Sequence, residues 1–120
     1  MDLRGKKVLV VGLARTGLAT AKFLKQKGSM VSTTEMKPKE EMREAVQELE
    51  GEDFHMEWGG HQTETFLKQD LIVVSPGVDL KIEPIQAAAN KGIRILSEIE
   101  LAYQFIDIPI IAVTGTTGQP

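Results

Sequence analysis

The stretch that decides the fold is residues 8–17, Val-Leu-Val-Val-Gly-Leu-Ala-Arg-Thr-Gly. The continuous apolar run at its start is typical of a strand that is covered on both faces, as in a parallel sheet. Gly12 ends this run, and apolar residues then recur at helical spacing at positions 14, 18, 21 and 24. The sequence therefore predicts a buried strand that turns at Gly12 and enters a helix.

The junction between this strand and this helix is a candidate anion site. The first turn of a helix carries backbone N–H groups without intrahelical partners and the positive end of the helix dipole. Small residues at positions 12, 14 and 17 would let a diphosphate and the sheet approach closely. The spacing Gly-x-Ala-x-x-Gly is weak as a bare pattern, and the alternative is a turn that needs glycine only for its backbone geometry.

The composition is that of a globular domain. The 120 residues are 42% hydrophobic and 26% charged, which predicts one domain with an apolar core. Cysteine is absent, so disulfides and thiolate metal sites are excluded, and no leader or membrane span is predicted, so we expect a cytoplasmic protein. A net charge of −3 without a basic stripe argues against nucleic-acid binding. His55 and His61 lack ligand spacing, so no metal site is predicted.

Strand and helix patterns alternate along the whole chain. Strands are predicted at residues 6–11, 30–34, 53–58, 71–74, 93–96 and 110–113, with 53–58 at an edge because its apolar residues alternate with polar ones. Ser97 and Glu100 predict a capping box, and Ile99, Ala102, Tyr103 and Ile106 are expected on the inner side of the helix that it opens. The pattern predicts an α/β fold, a Rossmann-like doubly wound, mostly parallel sheet of five to six strands with helices on both faces.

Ligands of such sheets bind outside the carboxyl ends of the strands, so three segments are expected to converge. The candidate binding residues are Gly12, Leu13, Ala14, Arg15, Thr16, Gly17, Glu35, Met36, Lys37, Ser75, Pro76 and Gly77. Glu35 could accept hydrogen bonds from a ribose or a base, and the 75–77 turn could present backbone amides. The alternatives are a solvated carboxylate and an ordinary turn.

The C-terminal residues have part of a phosphate-binding loop. The predicted strand 110–113 leads into a glycine-rich loop that contains Gly115, Thr116, Thr117 and Gly118. A complete P-loop needs a lysine and a hydroxyl residue directly after its last glycine, where this chain has Gln119 and Pro120. We therefore expect this segment not to bind ATP.

Four stretches together resemble one family, the MurD-type Mur ligases, and specifically their N-terminal domain. They are residues 3–17, Ser75-Pro76-Gly77-Val78, Ser97-Glu98-Ile99-Glu100-Leu101 and residues 112–118. The last stretch is similar to the start of the family's ATP loop, but it has Thr117 where asparagine is usual. The resemblance covers the whole chain and implies a substrate-binding domain at residues 1–113, followed at 114–120 by the truncated start of the ATP loop of a central domain.

The resemblance also implies a function. The family adds D-glutamate to UDP-N-acetylmuramoyl-L-alanine with ATP and Mg²⁺ in peptidoglycan synthesis, and this domain would bind the UDP part. Arg15 and Thr16 would face the diphosphate, Glu35 and Lys37 the uridine, and Ser75 and Gly77 the uracil. The ATP, Mg²⁺ and D-glutamate sites belong to other domains, so no catalytic residue is expected here, and the fragment is expected to be an inactive monomer.

Two other hypotheses remain open from the sequence. The first loop and Glu35 also fit an NAD-binding domain of an oxidoreductase or a nucleotide-sensing regulatory domain. The Ser-Pro-Gly turn and the terminal glycine-rich loop argue against it, because a dinucleotide fold needs neither. In the third hypothesis the fragment is structural and every loop is an ordinary turn.

Overall fold

The computed structural model describes residues 1–105, which form one sheet with helices on both faces. The strands are β1 (Lys7–Val11), β2 (Met30–Glu35), β3 (His55–Trp58), β4 (Leu71–Val74) and β5 (Arg94–Ser97). The helices are α1 (Arg15–Gln26), α2 (Arg43–Leu49), α3 (Thr63–Leu67), α4 (Glu83–Lys91) and α5 (Glu98–Tyr103), with a short 3-10 helix at Lys39–Glu41. Among these helices none has the length and apolar content needed to cross a bilayer.

The strand order is β3-β2-β1-β4-β5, and all four pairings are parallel. The chain first winds outward from β1 to β3 and then returns to add β4 and β5 on the other side of β1. The order therefore reverses between β1 and β4, which confirms the predicted Rossmann-like, doubly wound fold. The predicted strand 110–113 and the loop 114–120 lie outside the described residues.

The apolar run of β1 contributes to two cores. Val8 and Val10 pack on one face with side chains of α1, α2 and α5, while Leu9 and Val11 pack on the other with those of α3 and α4. All four side chains are fully buried. An uninterrupted apolar run is what a strand between two helix layers requires.

Most predicted elements are confirmed, with shifted ends. β3 is an edge strand, as its alternating pattern predicts, and its inner side chains are only partly buried. α2 begins at Arg43 and is preceded by a 3-10 turn at Lys39–Glu41. The capping box is confirmed: Ser97 Oγ accepts from the Glu100 N–H at 3.0 Å, and Glu100 Oε1 accepts from the Ser97 N–H at 2.8 Å.

The prediction for the inner side of α5 is wrong. Ile99 is 64% exposed, Tyr103 is 68% exposed and Ala102 is also exposed, whereas Leu101 is 3% exposed. The helix has only six residues and follows β5 directly, so a single side chain reaches the core beside α1. Ile106 lies outside the described residues.

Candidate functional site

The loops that follow β1, β2 and β4 line one cavity of about 420 Å³ at the carboxyl edge of the sheet. Its lining consists of Gly12, Ala14, Glu35, Met36, Lys37, Met42, His61, Ser75, Gly77, Val78, Asp79 and Ile82. This confirms the predicted convergence of the three segments. It follows from the topology, because parallel strands end at the same edge of their sheet.

Two glycines shape the first loop. Gly12 has a φ of +93°, which favours glycine, and it lies against Ser75 and Val78. Gly17 lies so close to the loop that a Cβ added there would be 2.0 Å from the Gly12 carbonyl oxygen. The need for glycine at position 17 therefore comes from the packing of α1 on its own loop.

The start of α1 can receive an anion. Ala14 is the N-cap, no side chain within residues 1–105 caps the helix, and its first turn contains no acidic residue. The first main-chain bond of the helix runs from the Leu18 N–H to the Ala14 carbonyl at 2.9 Å. The N–H groups of residues 15–17 are therefore free of intrahelical partners, and the helix dipole favours negative charge beside them.

Glu35 joins the loops that follow β1 and β2. Its carboxylate is buried, with Oε1 accepting from the Leu13 N–H at 2.8 Å and Oε2 accepting from the Lys37 N–H at 2.9 Å. A carboxylate that accepts a main-chain bond at each oxygen is well compensated for its burial. The alternative of a solvated carboxylate is wrong, and Glu35 positions the main chain of both loops.

The Ser75-Pro76-Gly77 turn presents fewer free amides than the sequence suggests. The Ser75 N–H donates to the Val11 carbonyl at 3.1 Å, and proline has no N–H, so only the Gly77 amide is left. The buried Ser75 hydroxyl lies 3.1 Å from the Gly12 carbonyl and 2.8 Å from Glu98 Oε2. Ser75 therefore connects the first loop with the start of α5.

His61 lies in the wall of the same cavity, although its sequence context suggests no role for it. Its Nδ1 lies 2.9 Å from Thr34 Oγ1, and its ring packs edge-on against Phe66 with centroids 6.0 Å apart. Burial lowers the pKa of His61, and the charge of Glu35 opposes this only in part. The signal that could have identified it is topological, because His61 follows β3 and so lies at the same edge of the sheet.

The cavity contains seven of the twelve candidate residues: Gly12, Ala14, Glu35, Met36, Lys37, Ser75 and Gly77. The other five lie beside it. Leu13 is in the core, Gly17 is buried under the first loop, Arg15 and Thr16 are exposed on the first turn of α1, and Pro76 is exposed. Across residues 1–105 no group of three or more His, Asp or Glu side chains is placed to hold a metal ion.

Solved structures with this fold are diverse. A pseudomurein peptide ligase type C from Methanothermus fervidus aligns with a TM-score of 0.66 at 20% identity, over 88% of this chain and 21% of the ligase chain. Shikimate dehydrogenase from Aquifex aeolicus aligns with a TM-score of 0.56 at 20% identity, over 84% of this chain and 45% of the dehydrogenase chain. At these identities the likeness concerns the fold alone.

Sequence comparison is more specific. The UDP-N-acetylmuramoylalanine–D-glutamate ligase of Geotalea daltonii is 49% identical over 99% of this chain and 26% of its own length. The ligase of the same name from Geobacter sp. strain M21 is 46% identical over the same shares. The chain thus spans about a quarter of the length of these curated relatives. Residues 6–97 match the family model described as Mur ligase MurD-like, N-terminal domain, and the chain therefore belongs to the MurD-like family of Mur ligase N-terminal domains.

Proposed function

We propose that this chain is the domain of a D-glutamate-adding Mur ligase that binds the UDP part of UDP-N-acetylmuramoyl-L-alanine. The observation that carries the proposal is the convergence of three loops on one cavity of about 420 Å³, beside the uncapped start of α1. A volume of this order suits a small-molecule ligand. The names of the relatives supply the identity of that ligand.

The diphosphate would lie at the first turn of α1. Main-chain N–H groups and the helix dipole attract an anion there, and the side chains of Arg15 and Thr16 are exposed on the same turn. Ala14 lines the cavity next to them and leaves room for the ligand.

The uridine would occupy the cavity itself. Met36 and Lys37 form one side and Ser75 and Gly77 the other, and the Gly77 amide is available to a polar atom of the ligand. Glu35 holds the main chain of the loops that follow β1 and β2 in place by accepting hydrogen bonds from both. This differs from a dinucleotide site, in which the corresponding carboxylate binds a ribose.

The reaction itself would take place outside this chain. In the complete ligase, ATP would phosphorylate the substrate carboxylate and the amine of D-glutamate would displace the phosphate to form the amide. We assign the ATP, Mg²⁺ and D-glutamate sites to domains that follow residue 113, with residues 114–120 as the first part of the ATP loop. We further propose that the chain alone is a monomer without ligase activity and that the ligase acts in the cytoplasm.

The test is a titration of the 120-residue chain with UDP-N-acetylmuramoyl-L-alanine, UDP, NAD and ATP, followed by NMR and calorimetry. We expect the two uridine compounds to bind and to shift the amide signals of residues 12–17, 35–37 and 75–77. ATP and NAD should leave those signals in place. Binding of NAD without binding of UDP would replace this proposal by the NAD-binding alternative.

A pair of matched variants locates the site. Ala14→Leu places a large side chain in the cavity and should weaken UDP binding about tenfold or more, equivalent to about 1.4 kcal/mol. Ala19→Leu makes the same change at an exposed position on α1, outside the cavity lining, and should leave the affinity unchanged. Equal affinities for UDP in the two variants would place the ligand elsewhere.

A further inference from the structure

His61 is a cavity side chain to which the proposed function has so far given no role. It follows β3, and its ring is fixed by two contacts, the 2.9 Å approach of Nδ1 to Thr34 Oγ1 and the edge-on packing against Phe66. Within residues 1–105 the contact at Nδ1 is the ring's only hydrogen bond. Nε2, on the opposite side of the ring, is therefore available to a ligand.

The contacts of the Thr34 hydroxyl favour the neutral tautomer of His61 that carries its proton on Nδ1. The Thr34 hydroxyl has a single hydrogen, and it donates to the Gly60 carbonyl at 3.1 Å. The contact with His61 is then a hydrogen bond only if Nδ1–H donates to Thr34 Oγ1. In the neutral ring this leaves Nε2 without a proton, so Nε2 is an acceptor.

Three of the four carboxylate oxygens around the cavity already accept from the main chain. Both oxygens of Glu35 accept backbone N–H groups, and Asp79 Oδ1 accepts from the Lys81 N–H at 2.8 Å. Among the nitrogen and carboxylate acceptors of the cavity lining, those without a hydrogen-bond partner within residues 1–105 are His61 Nε2 and Asp79 Oδ2, and His61 is the less exposed of the two residues. A donor of a ligand that enters the cavity can therefore reach a free acceptor at His61 Nε2. Uracil has one such donor on its ring, the imide N3–H, since N1 is bonded to the ribose.

We propose that His61 is a specificity-determining residue of the nucleotide site, whose Nε2 accepts the imide N–H of uracil. This rests on the proposed binding of a uridine nucleotide. Cytosine has an unprotonated nitrogen at the same ring position, so two acceptors would face each other without a proton between them. A site built around a hydrogen bond discriminates against the analogue that leaves its polar group unpaired.

The charge of the ring sets the pH range of this selectivity. The charged groups that line the cavity with His61 are Glu35, Lys37 and Asp79, and Glu64 is exposed on the adjoining α3. Burial outweighs the attraction of Glu35 and keeps the pKa of His61 below its usual value, so the ring is neutral at pH 7. At lower pH the protonated Nε2 becomes a donor, which disfavours uracil and favours cytosine.

The experiment compares UDP and CDP binding by calorimetry at pH 7.5 for the original chain and two variants. His61→Asn keeps a donor near Thr34 but has no group at the position of Nε2, whereas His61→Gln can place an amide oxygen there that does not titrate. We expect the original chain to favour UDP about tenfold, a factor equivalent to about 1.4 kcal/mol. His61→Gln should bind UDP with a smaller preference, because its amide can turn either its oxygen or its NH2 group toward the base. His61→Asn should bind both nucleotides with affinities within about twofold.

A second arm repeats the titrations at a pH below the pKa of His61, which an NMR titration of the ring determines, with His55→Asn as the matched control. His55 is the other histidine of the chain, exposed on β3 and outside this cavity. UDP preference should fall at that pH in the original chain and in His55→Asn, but not in His61→Gln.

The outcomes separate the two proposals. Binding of UDP with an unchanged UDP-to-CDP ratio in His61→Asn would overturn the role of His61 and leave the proposed function standing. Absence of UDP binding by the original chain would overturn the proposed function, and this inference with it.

Discussion

At position 17 the chain has no room for any side chain. A Cβ added there would lie 2.0 Å from a main-chain oxygen of the first loop, a distance that real contacts do not reach. Gly77, by contrast, has nothing within 4 Å of an added Cβ, and its φ is not in the left-handed region. Of these two glycines in the same predicted site, only Gly17 thus has a steric reason to be glycine.

The substitution Gly17→Ala should lower the free energy of unfolding by about 1–3 kcal/mol, because α1 must move away from its loop. Gly77→Ala should change it by no more than about 0.5 kcal/mol. Urea denaturation followed by circular dichroism measures both. Equal stability of the two variants would contradict the tight approach of α1 to Gly12.

The sequence predicts the positions of site residues better than their roles. Glu35 is correctly placed at the end of β2, but its two bonds to main-chain N–H groups depend on how two turns fold relative to each other. From the sequence alone, a metal ligand is the only role considered for His61. A histidine that lacks the spacing of a metal-ligand set gives no other local signal of function. The place of His61 in the cavity wall becomes visible only when β3 is placed beside β2.

At the scale of elements, strands are the more predictable part. The apolar runs of β1 and β4 identify strands between two helix layers, because only such strands lack a polar face. α5 is less predictable, since six residues make less than two turns and define no reliable stripe. Leu101 is the buried side chain of α5 because it packs in the core with α1, and local periodicity does not predict this.

The loops after β1 and β2 depend on one carboxylate, which gives a prediction at this scale. In Glu35→Gln one acceptor oxygen becomes an amide nitrogen, so one of the N–H groups of Leu13 and Lys37 loses its partner. We expect the free energy of unfolding to fall by about 1–3 kcal/mol and UDP binding to weaken.

Glu40→Gln is the control for this substitution. Glu40 is exposed on the short 3-10 helix, and its replacement should alter stability by no more than about 0.5 kcal/mol. Urea denaturation and calorimetry give the two quantities. A Glu35→Gln variant as stable as Glu40→Gln would show that the two loops hold their conformation without the carboxylate.

At the scale of the whole molecule, the topology is predictable because the local patterns of the sequence and the order of its elements favour the same fold. Buried strands alternate with helices, and right-handed parallel connections leave few arrangements of such elements. The shared edge of the strands then brings residues 12, 35 and 75 together, although they are far apart in the chain. The lining from Met42, Val78 and Ile82 depends on loop conformations that no local pattern specifies.

The stability of the whole domain should depend on pH through His61. Burial lowers the pKa of His61 in the folded chain, so the unfolded chain takes up the proton first. Stability is therefore fully present above the unfolded pKa of about 6.5 and falls as the pH drops below it. Urea denaturation at pH 7.5 and 5.5 should show a smaller loss in His61→Gln than in the original chain, and an equal loss would exclude this residue as a cause.

The reversal of strand order between β1 and β4 has a consequence for biosynthesis. The cavity takes its walls from both halves of the sheet, and its last contributors are Ser75 to Ile82. A nascent chain that has left the ribosome only as far as β3 contains the glycine loop and Glu35 but no enclosed cavity. Capture of a nucleotide by ribosome-bound chains would thus begin abruptly with the emergence of the segment that follows β4.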